Sequence, residues 1–377
     1  MALILGSLLA ALLLAEAVLR WVFPYQFIYQ HPQFVVLNEE PSAPRPQVAN
    51  GLLAPALALN DQAWRYGLRP NLRARLVSSE FAVAFETNTH GIRGPALHTR
   101  PHRRLLGLGD SFAMGFGVER EETFLSVWAR QQAEHATRPV EPVHGGVIGY
   151  NPYNSAAYLF GRAGTLQPDE VVLQLWVGDD LCGPASAARP IVQAEANRNT
   201  RIKFLIFRSH LAMLVRDRLR AIPPIRRWLM DRGLINRYAI DSLLSTDFPD
   251  RCAAPLAALS TLLAEVEAFC RQRDIRFVLL LIPVREQVYE HDWERAIAYD
   301  DATINAEKID FDAPNRAVQR IAAEHDITFF DATDALRTAQ DGERLYFAGL
   351  DPHLTQRGHA VVGRALFRFL QRAEEGL

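Results

Sequence analysis

The apolar positions of this chain fall into three regimes. Residues 1–23 are apolar or small except for Ser7, Glu16 and Arg20. About 20 such residues in a helix suffice to cross a bilayer, so the pattern predicts a transmembrane anchor over 1–23. A cleaved signal peptide is the rival reading, since Ala15-Glu16-Ala17 has the small-residue spacing of a cleavage site. Against it, no Lys or Arg precedes the apolar run, and the run continues through Val18, Leu19, Trp21, Val22 and Phe23. Glu16 and Arg20 stand at i,i+4, where opposite charges on a helix meet. Residues 24–99 form the second regime, a linker and small β subdomain. The proline-rich stretch 41–46 reads as a stiff linker, and alternation over 74–77 and 81–87 predicts two strands.

From residue 100 to 377 the pattern alternates between strand and helix. Strands are predicted at 103–109, 139–144, 169–177, 275–283 and 327–331, with helices from about 121, from about 151, and over 254–272, 312–324 and 360–372. Strands alternating with helices of this length imply right-handed crossovers and a parallel sheet, hence an α/β protein built as a three-layer α/β/α sandwich. The alternation is interrupted at about 183–250, an insertion directly after the third strand's loop. Within it, residues 198–237 hold ten arginines and Lys203 against Asp217 and Asp231. Phe204, Phe207, Leu211 and Leu214 recur there at helical spacing, which predicts a basic amphipathic helix, then Pro223-Pro224 and a second short helix. Three readings stand for this segment: a lid on the main domain, an interfacial helix on anionic lipid, and a groove for an anionic polysaccharide.

With 377 residues and 49% apolar content, the chain can bury a sizeable core and carry additions. A net charge of −2 argues against a nucleic-acid partner. The three cysteines, Cys182, Cys252 and Cys270, lack metal-ligand spacing. They are expected to be buried and unpaired. If one bridge forms, Cys182 with Cys252, which flank the insertion, is the first pair to test.

The candidate chemistry lies at strand ends. Gly109-Asp110-Ser111-Phe112-Ala113 follows the apolar run ending at Leu108, so Ser111 is either a turn residue or a nucleophile. A nucleophilic serine needs a base, and that base needs an orienting acid. His353 and Asp351, in Asp351-Pro352-His353 before the last helix, supply that pair; the other reading of this stretch is a solvated helix-starting turn. Two further strands end in Val147-Ile148-Gly149-Tyr150-Asn151 and in Gly178-Asp179-Asp180. In an open parallel sheet, ligands bind at the carboxyl ends of the strands, where these loops converge.

Taken together, these blocks resemble the SGNH/GDSL hydrolase family. Gly109-Asp110-Ser111-Phe112 matches its first block, Gly149 its second, Gly178-Asp179-Asp180 its third, and Asp351-Pro352-His353 its last. The likeness extends over roughly 85–372, and the N-terminal apolar segment, Asn88-Thr89-His90-Gly91-Ile92-Arg93-Gly94 and Leu281-Ile282-Pro283-Val284-Arg285-Glu286-Gln287 resemble a bacterial membrane-anchored subgroup. The resemblance implies an SGNH/flavodoxin-like fold and a serine esterase or O-acyltransferase acting on acyl esters, acetyl above all, of a cell-envelope or extracellular carbohydrate. It implies Ser111 as nucleophile, His353 as base and Asp351 as its orienting acid, with Ser111, Gly149 and position 179 forming the oxyanion hole. Asp110, Asn151, Asp180 and Arg93 are the candidate substrate contacts; for Arg93 the alternative is a turn closing the β subdomain. No metal or organic cofactor is implied. The expected partners are an ester substrate, the membrane through residues 1–23, and a membrane acyl-transfer or polysaccharide-export protein. Arg20 alone favours a cytoplasmic catalytic domain, whereas the resemblance implies an extracytoplasmic, periplasmic one, which is the expectation adopted.

One position departs from the family. Asp179 stands where its members carry asparagine, and an ionised carboxylate has no proton to donate to an oxyanion. Three readings follow: a carboxyl kept protonated by burial and by Asp180, a re-registered loop with other donors, or a slow or silent protein. The last leads to the alternative function, a catalytically silent carbohydrate-binding or scaffold subunit of an envelope polysaccharide assembly.

Overall fold

The computed structural model describes residues 2–22, 32–38, 56–59, 62–78, 80–99, 103–135, 138–182, 209–220, 222, 224–225, 228–229, 243–289, 291–293, 308–348 and 352–375. The linker at 41–46, Phe204, Phe207 and Asp351 lie outside these residues.

Five parallel strands form the central sheet: β6 (Arg103–Leu108), β7 (Val140–His144), β8 (Glu170–Trp176), β9 (Arg276–Ile282) and β10 (Thr328–Asp331). Their spatial order is β7-β6-β8-β9-β10. This is the doubly wound order 2-1-3-4-5, whose switch point, the site of ligand binding, lies between its first and third strands, here β6 and β8. Both strands are near-continuous apolar runs because helices cover both faces of the sheet. The charges on these strands are paired: Glu170, wholly buried at the start of β8, has Arg103 at 2.8 Å and Arg276 at 3.5 Å, and the buried Arg104 of β6 donates to Glu141 at 2.8 Å.

On one face, α3 (Phe124–His135) packs on α10 (Gln356–Glu375), joining Leu105, Trp128, Val172, Leu280 and Leu366 in one apolar cluster. On the other lie α4 (Pro152–Leu166), α7 (Ala253–Arg271) and α8 (Ala313–Glu324), which bury Leu159, Leu263 and Val318 with Leu106 and Leu173. By length and composition α7 is apolar enough to cross a membrane. Its Leu259, Leu263, Val266 and Cys270 are nevertheless buried in this layer, so it is a core helix. Two short helices, α6 (Phe248–Arg251) before α7 and α9 (Thr333–Thr338) after β10, complete the set, and the predicted boundaries agree with the longer elements to within a few residues.

The N-terminal region is richer than predicted. Beside the expected strands β4 (Arg73–Val77) and β5 (Ala82–Glu86) runs β1 (Gln33–Val36), giving an antiparallel sheet β1-β4-β5. A separate hairpin pairs β2 (Leu57–Leu59) with β3 (Tyr66–Leu68). Four- and three-residue strands give the alternation too few turns to show. Phe34, Tyr66, Leu76 and Phe85 join the same apolar cluster as the α4 layer, so the subdomain shares the main core.

α1 (Ala2–Val22) is helical over the predicted anchor, and Leu8, Leu9, Leu12, Leu13, Leu14, Val18, Trp21 and Val22 are exposed on it. The Arg20 guanidinium donates to Glu16 at 2.8 Å, as the i,i+4 spacing predicts. Part of the insertion is the helix α5 (His210–Arg220), which packs on α1. The cysteine expectation is corrected: Cys182 and Cys252 form a disulfide, Cα atoms 5.1 Å apart, and Cys270 alone is free. The bridged pair is the one that flanks the insertion.

Candidate active site

The site grows from the end of β6. Gly109 has φ +142°, and a Cβ there would lie 2.4 Å from the Gln174 side-chain oxygen and 3.0 Å from that residue's carbonyl oxygen. Only glycine makes this turn without strain or collision. It delivers the chain into the one-turn helix α2 (Ser111–Met114), with Ser111 at its first position, half-buried. Asp110 caps that helix, its carboxylate accepting from the Phe112 N–H at 2.8 Å.

The base arrives from the far end of the chain. His353 Nε2 lies 2.7 Å from Ser111 Oγ. Two rings that follow the serine hold the imidazole: Phe116 stacks on it at 4.4 Å and Phe112 lies tilted at 4.8 Å. Such contacts contribute roughly 0.5–1.5 kcal/mol each beyond area burial. The loop carrying His353 is fixed by the Tyr346–Leu354 bridge, by the Tyr346 hydroxyl donating to Pro283 O at 2.9 Å, and by the Leu345 N–H donating to the Tyr289 hydroxyl at 2.8 Å. The sequence reading missed Phe112, Phe116 and the two tyrosines, although Phe112 stands inside the first block.

The second loop follows β7. A Cβ on Gly146 would lie 2.3 Å from Met114 N, so this loop passes against the back of α2 at a distance only glycine allows. Gly149 sits in the exposed turn beyond it. Among the described residues, neither Ser111 N–H nor Gly149 N–H donates to a protein acceptor.

The third loop follows β8, next to β6 in the sheet, and its Trp176 ring lies 5.3 Å from that of Phe112. Asp180 is buried, with its carboxylate accepting from the Trp176 N–H at 2.8 Å. Asp179 is exposed to solvent, so the burial that the protonated-donor reading requires is missing. Two residues further on, the Cys182–Cys252 bridge closes the base of the insertion.

The four candidate substrate contacts each bond backbone groups. Asp110 and Asp180 cap local turns, and Asn151 caps α4 by accepting from the Asn154 N–H at 2.9 Å. Arg93 is the clearest correction. It is 2% exposed, and its guanidinium donates to Gly115 O and Val118 O at 2.7 Å each, to Met114 O at 2.9 Å and to Ala84 O at 3.3 Å. The turn reading of 88–94 holds there, with Asn88 Oδ1 accepting from the His90 and Ile92 N–H groups. Arg93 therefore braces the segment immediately after the serine helix. Burial lowers its pKa to about 10, which leaves it cationic at neutral pH.

No family model matches this chain, and no curated protein matches it. Solved structures are similar in fold. TesA has 13% identity and a TM-score of 0.38, with 71% of this chain and 98% of that chain covered. A catalytic mutant of Axe2, an acetylxylan esterase from Geobacillus stearothermophilus, has 15% identity and a TM-score of 0.40, covering 73% and 96%. A two-domain esterase active on acetylated mannans has 10% identity and a TM-score of 0.40, covering 72% of this chain and 49% of that one. Likeness at this level carries no argument about activity, which is read from the chain's own residues.

Proposed function

We propose that this chain is a serine-dependent ester hydrolase or O-acyltransferase of the SGNH/GDSL type, acting on acyl, chiefly acetyl, esters of a cell-envelope or extracellular carbohydrate. The observation that carries the reading is the 2.7 Å contact between Ser111 Oγ and His353 Nε2 at the switch point of a doubly wound sheet. The Ser111 hydroxyl attacks the ester carbonyl carbon as its proton passes to His353 Nε2. Negative charge on the carbonyl oxygen is received by the Ser111 and Gly149 N–H groups, the first at the start of α2. Collapse of this intermediate breaks the ester C–O bond, and His353 returns the proton to the departing alcohol. Water or a sugar hydroxyl then attacks acyl-Ser111 by the same steps in reverse, giving hydrolysis or transfer. Asp351, outside the described residues, is assigned to His353 Nδ1 by its place in the last block, two residues away.

The anchor reading of α1 rests on its exposed apolar surface. An extracytoplasmic domain is supported by the Cys182–Cys252 disulfide, since such bonds persist in oxidising compartments. An exposed carboxylate at 179 favours the second reading, a silent carbohydrate-binding or scaffold subunit of an envelope assembly beside an acyl-transfer or polysaccharide-export partner. A fluorophosphonate probe separates the two. An adduct on Ser111, absent in Ser111→Ala, supports the enzyme; a folded protein that forms no adduct is the silent subunit.

A further inference from the structure

The start of α5 is capped by a residue of α1. Ser209 Oγ accepts from the Ala212 N–H at 3.1 Å, an ordinary N-cap. The next two N–H groups, of His210 and Leu211, donate to the Glu16 carboxylate at 3.0 and 2.9 Å, and Ser209 Oγ donates to it at 2.9 Å. One carboxylate, in the midst of an apolar helix and also paired with Arg20, thus satisfies the first turn of a helix nearly 200 residues away. An ionisable group in an apolar span is costly and calls for a partner. Here that partner is the N-terminus of α5.

From this junction α5 leads away with an exposed apolar face. Val215 and Leu219 follow at i and i+4 and are 48% and 44% exposed, and Ile222, just beyond the helix, is 45% exposed. The same stretch carries Arg216, Arg218, Arg220, Arg226 and Arg227 against Asp217 alone. An exposed apolar face on an arginine-rich segment, joined through Glu16 to the exposed apolar helix α1, matches the surface of an anionic bilayer. The depth agrees as well. Glu16 precedes the end of α1 by about 9 Å at 1.5 Å per residue, and interfacial helices lie roughly 5–10 Å into the headgroup boundary.

We infer that α5 lies on an anionic bilayer surface, pinned at interface depth by Glu16 of α1. The inference rests on the anchor reading of α1. Because the insertion springs from the loop after β8 and is closed by Cys182–Cys252, such a contact ties the Ser111 edge of the sheet to the membrane surface.

The test uses full-length protein in nanodiscs with brominated acyl chains, made of phosphatidylcholine with or without phosphatidylglycerol. A bimane label is placed at Leu219→Cys, at Leu13→Cys, or in place of the exposed Arg364 of α10, as Arg364→Cys. Cys270 is buried and the other two cysteines are bridged, so only the introduced thiol reacts. The expected result is loss of emission at 219 in discs containing phosphatidylglycerol, little loss without it, loss at 13 in both, and none at 364. Glu16→Ala should abolish the loss at 219 while leaving that at 13. Glu16→Gln, which keeps an acceptor oxygen, should retain part of it, and Val215→Asp should weaken it without touching the junction. Quenching at 13 but not at 219 overturns the proposal and returns α5 to a lid. Quenching at 219 that is indifferent to both Glu16 variants overturns the pinning. Quenching at neither 13 nor 219 overturns the anchor reading itself.

Discussion

His353 Nε2 and Ser111 Oγ meet at 2.7 Å across 242 residues of sequence, between two phenylalanine rings that follow the serine. The chain therefore builds the holder of its base beside its nucleophile, and the base is useful only once the last helix has docked. Ser111→Ala and His353→Ala should each lower turnover of a short p-nitrophenyl ester by on the order of 10⁴-fold or more with the melting temperature nearly unchanged, whereas Asp351→Asn should retain more activity. Unchanged hydrolysis by Ser111→Ala ends the catalytic reading.

Asp179 sets a second expectation. If position 179 belongs to the proposed oxyanion hole, an asparagine amide there supplies a donor that a carboxylate lacks, so Asp179→Asn should raise kcat by about 10²-fold where the hole limits the rate. A response near unity points to other donors in the loop. A marked loss at every pH means that the carboxylate itself takes part in binding or chemistry.

Arg93 donates to three carbonyl oxygens at and just after the serine helix and to Ala84 O of β5. Arg93→Met strands those acceptors in a buried place and should destabilise the fold by about 3 kcal/mol or more. Arg93→Lys supplies one ammonium where a planar fork was needed. It should fold, with kcat lowered more than KM is raised, which is the signature of a displaced nucleophile. A lysine variant with wild-type kcat assigns Arg93 to stability alone.

Two buried histidines make the fold acid-sensitive. Burial pushes His359 down to about 3, and His144, beside Arg93, is likewise lowered well below its ordinary range. Both are neutral when folded, while the unfolded chain takes up protons near 6.5. Stability is thus full above about 6.5 and falls as the pH drops toward the folded values. Thermal melts between pH 7 and 5 should show the loss, and His359→Gln, which does not titrate, should flatten it. An unchanged slope in that variant removes His359 as a source.

The cysteines permit a direct count. Denatured without reductant, the protein should offer one reactive thiol, Cys270, and after reduction three. Cys252→Ala should cost roughly 4 kcal/mol by the loop-entropy relation for a bridge spanning 70 residues. It should also lower esterase activity, because the bridge ends the loop that carries Asp179. Three free thiols without reduction contradict the bridge.

Periodicity and local chemistry determined a good part of this molecule. Strands of six or seven residues, apolar over most of their length and bounded by polar turns, mark β6, β8 and β9 because a strand covered on both faces has little polar side to show. Ser111, Gly149 and Asp179 stood out because strand ends in such a sheet are where chemistry collects, and His353 because a nucleophilic serine needs a base. Tertiary structure alone decided what the neighbouring polar residues do. Asp110, Asn151, Asp180 and Arg93 have the side chains of ligand contacts, but each meets backbone groups that turns and helix ends leave unsatisfied, a demand that becomes visible only when the chain is folded. The same holds for Cys182 with Cys252 and for Glu16 with the start of α5. Partners 70 and nearly 200 residues apart are matched by where the elements pack, which no local pattern encodes.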